Sequence, residues 1–233
     1  MKKLGMVFGI IACMCVIYCT CSTGKSKEQT INFGEIQLIA EPGENWKGKM
    51  RVFIFSMTKY PQLAAWIEDD EGNYISTVAV TNRSAQKKWR GSPKEGRPEA
   101  LPVWNHKQES NSGLHNLDSV STATPKGHVE AKIKKGSFVD GNIYNLYLEI
   151  NHSFDYNDFW TKNNSGDNGQ PSLIYHAQFI YGQPGHIQLV PVGYGSVDGS
   201  DGNIISGLES LTSALHIIQN AYLTAIFPSC LQE

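Results

Sequence analysis

Two apolar runs flank a short acidic turn in the first third of the chain, and no other stretch constrains the fold as strongly. Leu63-Ala64-Ala65-Trp66-Ile67-Glu68 precedes Asp69-Asp70-Glu71-Gly72-Asn73, and Tyr74-Ile75-Ser76-Thr77-Val78-Ala79-Val80 follows. Strand-like runs on either side of a Gly-containing turn predict an antiparallel hairpin. Strand side chains alternate between faces, so Ile67 and Glu68 should fall on opposite sides and Trp66 should point inward.

Further strand signals follow. Thr30 to Ile39 alternates apolar and polar residues and reads as a half-buried strand. Arg51 to Met57 is short, β-branched and aromatic, and reads as a buried strand. His128 to Ile133, Ile143 to Ile150, Leu173 to Ile180 and Ile187 to Val192 complete the set. Between them, residues 81–127 and 152–171 read as two long loops, the first pinned by Trp89, Leu101, Val103 and Trp104. Long irregular insertions are uncommon in compact domains and are often functional. In the tail, Leu208, Leu211, Leu215, Ile218 and Tyr222 recur at helical spacing, and Ser206 to Glu209 has capping-box spacing. This predicts a helix from Leu208 to Asn220 with His216 on its flank. The fold class expected is mainly β: an antiparallel, immunoglobulin-like β-sandwich with long loops and one helix near the C-terminus.

The first residues carry no part of that fold. Lys2 and Lys3 precede a run without charge from Leu4 to Gly24, which ends at Lys25. A basic start before an apolar run is the pattern of an export signal. The run contains Cys13, Cys15, Cys19 and Cys21, and a cysteine at the end of such a segment points to lipid acylation. Ile10-Ile11-Ala12-Cys13 fits the cleavage pattern best but leaves an apolar mature start. Cys21, then Cys19, leaves the polar tether 22–30 and is preferred. An uncleaved anchor or a plain secretory signal is the alternative, because a spanning helix needs ~20 residues. The organisation expected is a signal over 1–21, a tether over 22–30 and one β-domain over 31–233. Its partner is then the membrane, held through the N-terminal lipid at an extracytoplasmic envelope surface.

Composition narrows the chemistry. The chain has 20 Lys and Arg against 22 Asp and Glu; without Lys2 and Lys3 the balance is 18 against 22, a net charge of −4. No basic surplus is present to neutralise phosphates, which argues against nucleic acid. After Cys21 the sequence has one cysteine, Cys230, so neither an internal disulfide nor a Cys-rich metal site is expected in the domain.

The sharpest short motif is Asp118-Ser119-Val120-Ser121-Thr122-Ala123-Thr124. It resembles the target pattern for covalent FMN attachment in exported bacterial flavoproteins: Asp, two variable residues, Ser or Thr, Gly, Ala, then Thr or Ser. Asp118, Ser121, Ala123 and Thr124 match, and Thr122 stands where the pattern has Gly. The resemblance implies a flavin phosphoester on Thr124. The competing reading is a polar loop leading into the strand at His128, with the Thr124 hydroxyl buried against backbone.

Wider stretches resemble a family of exported bacterial proteins grouped as a domain of unknown function. The likeness rests on Ala65 to Asp69 with Gly72 and Tyr74, Arg97 to Trp104, Asp118 to Pro125, Glu149 to Asn157, Asn168 to Ser172, and Ser200 to Gly202. It implies a β-rich domain and an association with envelope redox proteins.

Other chemistries find less in the sequence. Asp155, Asn157 and Asp158, and likewise Asp198, Asp201 and Asn203, could be read as calcium loops. Their spacing fits no known loop, and these residue types favour turns. His106, His115, His128, His152, His176, His186 and His216 show no helical i,i+4 pair of the kind a zinc site uses. No nucleophile elbow and no phosphate-cradling Gly loop is present, and Asp69-Asp70 falls in a turn. Trp66, Trp89, Trp104 and Trp160 could stack on sugars, although Trp more often anchors a β-core. The expectation is a binding or structural module without catalytic residues, metal or obligatory cofactor, and FMN on Thr124 is the alternative.

Overall fold

A computed structural model describes residues 34–52, 55–86, 96–110, 121–122, 126–134 and 138–227. Cys19, Cys21, Trp89, His115, Asp118, Ala123, Thr124 and the tether lie outside the described residues.

The strands in chain order are β1 (Glu35–Pro42), β2 (Gly48–Val52), β3 (Phe55–Lys59), β4 (Gln62–Asp69), β5 (Tyr74–Thr81) and β6 (Ser121–Thr122). They continue with β7 (Val129–Ile133), β8 (Ile143–Asn151), β9 (Leu173–Ile180), β10 (Gly185–Gln188), β11 (Val190–Tyr194) and β12 (Ile218–Ile226). Among the described residues three short α-helices intervene: α1 (Asn82–Ala85), α2 (Pro102–Glu109) and α3 (Lys162–Ser165). The fold is mainly β. One sheet has the order β11-β9-β8-β4-β5-β6 and the other β10-β12-β1-β7, with β2 and β3 forming a separate hairpin. Neighbouring strands run antiparallel except β5 and β6, which pair in parallel through Val80–Ser121 and Thr81–Thr122.

The two large sheets pack face to face as a sandwich. Ile36, Leu38 and Ala40 of β1 and Leu223 of β12 meet Leu63, Ala65 and Ile67 of β4 and Leu146, Leu148 and Ile150 of β8. Alternation along each strand sends these residues to one face. The opposite face of the six-stranded sheet is also covered at its centre. Ala64, Trp66, Tyr74, Val80 and Ile174 pack there against Leu101, Val103 and Trp104, which come with α2. The central strand β4 is therefore buried on both sides, as its unbroken apolar run implies.

Several expectations need correction. Trp66 is fully buried, but on the face away from the second sheet, beneath α2. The region 51–57 is not one buried strand; it spans the β2–β3 hairpin, and Ser56 and Met57 are exposed. The run from Ile187 to Val192 is shared between β10 in one sheet and β11 in the other, with buried Leu189 at the crossing. No α-helix occupies Leu208 to Asn220. A single 3-10 turn, Ser213–His216, leads directly into β12. The periodic leucines pack on the core from irregular chain, and Gly207 at φ +95° opens a turn rather than a capping box. Strand pairing of Ile218 to Ile226 with β1 overrides the local periodicity.

The sandwich has two unlike ends. The turn at 69–73, the segment 138–142 and the turn at 181–184 gather where β1 begins. Gly34 bonds Ile226 there, Phe227 meets the Tyr181 ring, and Gly141 bonds the Tyr181 carbonyl. At the other end lie 43–47, residues 97–101 with the start of α2, 152–172 and 195–217. They are tied by Gly43 to Ile217, Asn168 to the Glu99 carbonyl and Gly195 to Ser172.

Candidate functional site

Alternation along β8 sends Tyr147, Glu149 and Asn151 to the face that α2 crosses. Leu101 precedes the helix and offers no capping side chain, and Pro102 at its start has no N–H. Glu149 supplies the missing acceptor from another element. Its carboxylate accepts from the amides of Val103 (3.3 Å) and Trp104 (2.8 Å) and from the Ser172 hydroxyl (2.6 Å). A carboxylate at a helix N-terminus is favoured by the partial positive charge of the free amides. Burial opposes this and dominates, and the Glu149 carboxyl is pushed up to about 7. Gly195 closes the site from above. A Cβ there would lie 2.5 Å from Pro102, 2.7 Å from Ser172 and 3.1 Å from Glu149.

Beside this carboxylate a row of side chains crosses the same face. Trp66, Tyr147, His176 and Val190 are register partners on β4, β8, β9 and β11. Trp66 and Tyr147 stack at 5.3 Å, and Tyr147 and His176 lie 4.8 Å apart. The Trp66 indole donates to Glu68 (2.8 Å), which also pairs with Lys107 of α2 (2.9 Å). Asn145 Nδ2 donates to the Asp69 carbonyl and so turns its Oδ1 to His176 Nε2 at 2.9 Å. His176 therefore carries its proton on Nε2, and partial burial holds it below the ordinary imidazole range.

The strand β8 ends at a polar corner. His152 is buried, and its Nε2–H donates to the carbonyls of Asn45 (3.0 Å) and Trp46 (3.1 Å). Desolvation first, and the Lys59 ammonium second, lower it to about 4. Lys59 donates to the Ser153 carbonyl, and Arg97 donates to the Ser153 hydroxyl and pairs with Glu99 (2.7 Å). Phe154 follows at φ +61°, the one non-glycine residue with positive φ among the described residues, and the Arg97 guanidinium lies 5.6 Å from its ring centroid. An aromatic residue in the left-handed region is strained, and such strain persists only where its surroundings hold it.

The loop that follows is held in the same way. Phe154 N–H bonds the Asp167 carbonyl, and Gln170 N–H bonds the Asp155 carbonyl. Asn157 Oδ1 accepts from the amides of Phe159 and Trp160, and Asn157 Nδ2 reaches the Ser210 carbonyl. Thr161 and Asn164 form a capping box around α3, and Asn164 Nδ2 bonds the Phe159 carbonyl. The Tyr156 hydroxyl donates to the Gly166 carbonyl. Within this frame Phe154, Tyr156 and Phe159 face solvent, Phe159 at 60% exposure.

Of the motif at 118–124, Ser121 and Thr122 are described as the edge strand β6, beside β5. Asp118 and Thr124 lie outside the described residues. The acidic clusters act as turn acceptors: Asp198 takes the Ser200 amide, Asp201 the Asn203 amide, and Asp155 the Ser213 hydroxyl and Gln170 amide. Among the described residues no group of three or more His, Cys, Asp or Glu could hold a metal. Trp66 and Trp104 are buried and Trp160 half-buried. His216 sits on the 3-10 turn, 3.7 Å from Glu44. Among the described residues no helix is long and apolar enough to cross a membrane. Comparison with protein-family models, curated proteins and solved structures found no match.

Sequence reasoning passed over Glu149, His152 and Arg97 as working residues. The available signal was Glu149 itself, a charged residue inside the run Tyr147 to Ile150. Alternation assigns it to an outer face, and only the tertiary position of α2 buries it.

Proposed function

We propose that this chain is an exported, lipid-anchored envelope protein whose β-sandwich is a binding module, with recognition at the loop end. The β8–β9 loop carries the reading. It is fixed by hydrogen bonds from residues distant in sequence, yet it presents Phe154, Tyr156 and Phe159 to water. Exposed aromatics on a preorganised frame give contact area at small entropic cost. Anchoring rests on the basic start, the uncharged run and Cys19 or Cys21. The test is a photo-crosslinking side chain at Tyr156, with Val139 at the turn end as control. A discrete crosslinked partner from position 156 and none from 139 is expected; equal yields reject the assignment. Lipidation at Cys21 or Cys19 places the chain in the membrane fraction with an added lipid mass. Replacing both with Ser should release it, and a wild type already soluble rejects the anchor.

A second reading, flavin carriage on Thr124 in an envelope redox system, draws on the motif and the wider family resemblance. It is favoured by the place of Ser121–Thr122 at the edge of the six-stranded sheet, beside β5. A transferase needs an accessible backbone at its target. Coexpression with a flavin transferase should give a yellow protein, more strongly with Thr122→Gly and not at all with Thr124→Ala. A colourless wild type under those conditions excludes it.

A further inference from the structure

The exposed aromatic of the β8–β9 loop belongs to a longer apolar strip. Phe159 packs edge-on against Trp160 at 4.9 Å, and Trp160 against Tyr194 at 6.1 Å. Tyr194 exchanges both backbone hydrogen bonds with Ile205 (3.0 and 2.8 Å). Ile204 packs over Gly193, where a Cβ would come within 2.7 Å of its side chain. Phe159 and Ile205, at the two ends of this run, are exposed at 60% and 39%, while Ile204 is turned to the opposite face, over Gly193. The run lines the flank of β11, the last strand of its sheet. Isolated exposed apolar residues are ordinary, but a contiguous run on a fixed frame marks an interaction surface.

The rim of the strip has one sign of charge. Segments 154–172 and 195–210 carry Asp155, Asp158, Asp167, Asp198, Asp201 and Glu209 against a single Lys162. Of the other cations of this end, Lys59 and Arg97 are held at Ser153, with Lys59 also beside Asp155, and Lys47 is exposed, so acids still outnumber bases. An acidic rim repels anionic lipid headgroups and repels a second copy of itself, and it attracts a basic partner. Pro191 lacks an N–H, and the register with β9 shifts between Pro191 and Gly193. Edge features of this kind discourage strand addition, so side chains carry the contact.

Resting on the binding reading above, we infer that the strip Phe159–Trp160–Tyr194–Ile205 docks a polypeptide segment that combines apolar or aromatic side chains with Lys or Arg. The test uses the full chain in detergent and fluorescent ten-residue peptides that alternate Val and Phe with Lys, or with Glu. The Lys peptide should bind at least tenfold more tightly than the Glu peptide, and high salt should weaken it. Phe159→Ser combined with Ile205→Ser should cost tenfold or more in affinity at unchanged Tm. Should that pair lower the Tm, Asp158→Lys with Glu209→Lys reverses two exposed charges, touches no core, and should remove most of the preference for the Lys peptide. Equal binding of both peptides, or of neither, overturns the partner chemistry. Unaltered binding by both variants overturns the surface but leaves a binding module. Dimerisation abolished by the Phe159 and Ile205 changes, or capture by anionic vesicles in place of peptide, assigns the strip to another occupant and also overturns it.

Discussion

The two ends of the sandwich are built by different rules. At the turn end the connections are short, and the β4–β5 turn rests on local chemistry. Gly72, Gly141 and Gly182 take positive φ, and Asp69 accepts from residues two and four positions on. At the loop end each connection is held from far away in sequence. Gln170 bonds Thr212, Asn157 bonds Ser210, and Asn168 bonds Glu99. A turn such as 69–73 is closed by its own residues. The loop end needs the whole fold, and in return it can hold a strained or solvent-facing group in one place, as with Phe154 and Phe159.

Glycine substitutions give the widest separation. Gly169 at φ +76° leaves no space, since a Cβ would lie 2.5 Å from the Asp155 backbone. Gly169→Ala should cost roughly 3 kcal/mol or more, combining left-handed strain with a backbone clash. Gly72 at φ +82° has its nearest neighbour 3.9 Å from a Cβ, the end of the Glu68 side chain. Gly72→Ala should therefore cost only the strain, about 1–2 kcal/mol. Denaturant midpoints compare the two, and equal costs would contradict the contrast.

Acid titration between pH 4 and 6.5 probes the loop end most strongly. Glu149 is raised to about 7, so its protonated form is favoured by folding. That contribution is complete below the unfolded value near 4.5 and is lost as pH rises to 7. His152 is lowered to about 4, so its contribution is complete above 6.5 and is lost as pH falls to 4. The two oppose each other between 4.5 and 6.5, and wild-type stability should stay nearly level there. Glu149→Gln removes one side. Its stability should fall on acidification from 6.5 to 4 by on the order of 3 kcal/mol, at 1.36 kcal/mol per unit. A level profile for that variant would remove His152 from the account.

Smaller effects follow. Arg97→Ala removes the Ser153 hydroxyl bond, the Glu99 pair and the Phe154 contact, and should cost about 2 kcal/mol. Phe159→Ser, at a position that faces water, should change stability by less than ~0.5 kcal/mol. A large loss there would make Phe159 a packing residue and not a recognition residue.

The same division decides what could be read from the sequence. The β4–β5 hairpin was legible because both strands and Gly72 are neighbours in the chain. Leu101, Val103 and Trp104 were legible as anchors because they are apolar in a polar stretch. The C-terminal helix misled because Leu208, Leu211 and Leu215 have helical spacing, while the partner that makes β12 a strand is β1, far away in sequence. Glu149 was opaque for a related reason: alternation gives its face, and only α2 gives its burial. The loop at 152–171 was recognised as a loop, but its rigidity comes from Ser210, Thr212 and Ser213, which no local pattern connects to it.

The central claim is that the β8–β9 loop is a fixed frame that presents its aromatics, and amide hydrogen exchange tests it most directly. The amides of Phe154, Trp160, Ser165 and Gln170 each donate to an acceptor inside this frame. They should exchange with protection comparable to the β8 and β9 ladder, and far more slowly than Glu71, whose amide is held only by the exposed Asp69 carboxylate. Exchange of those four amides as fast as Glu71 would show a loop without a fixed form and would contradict the account.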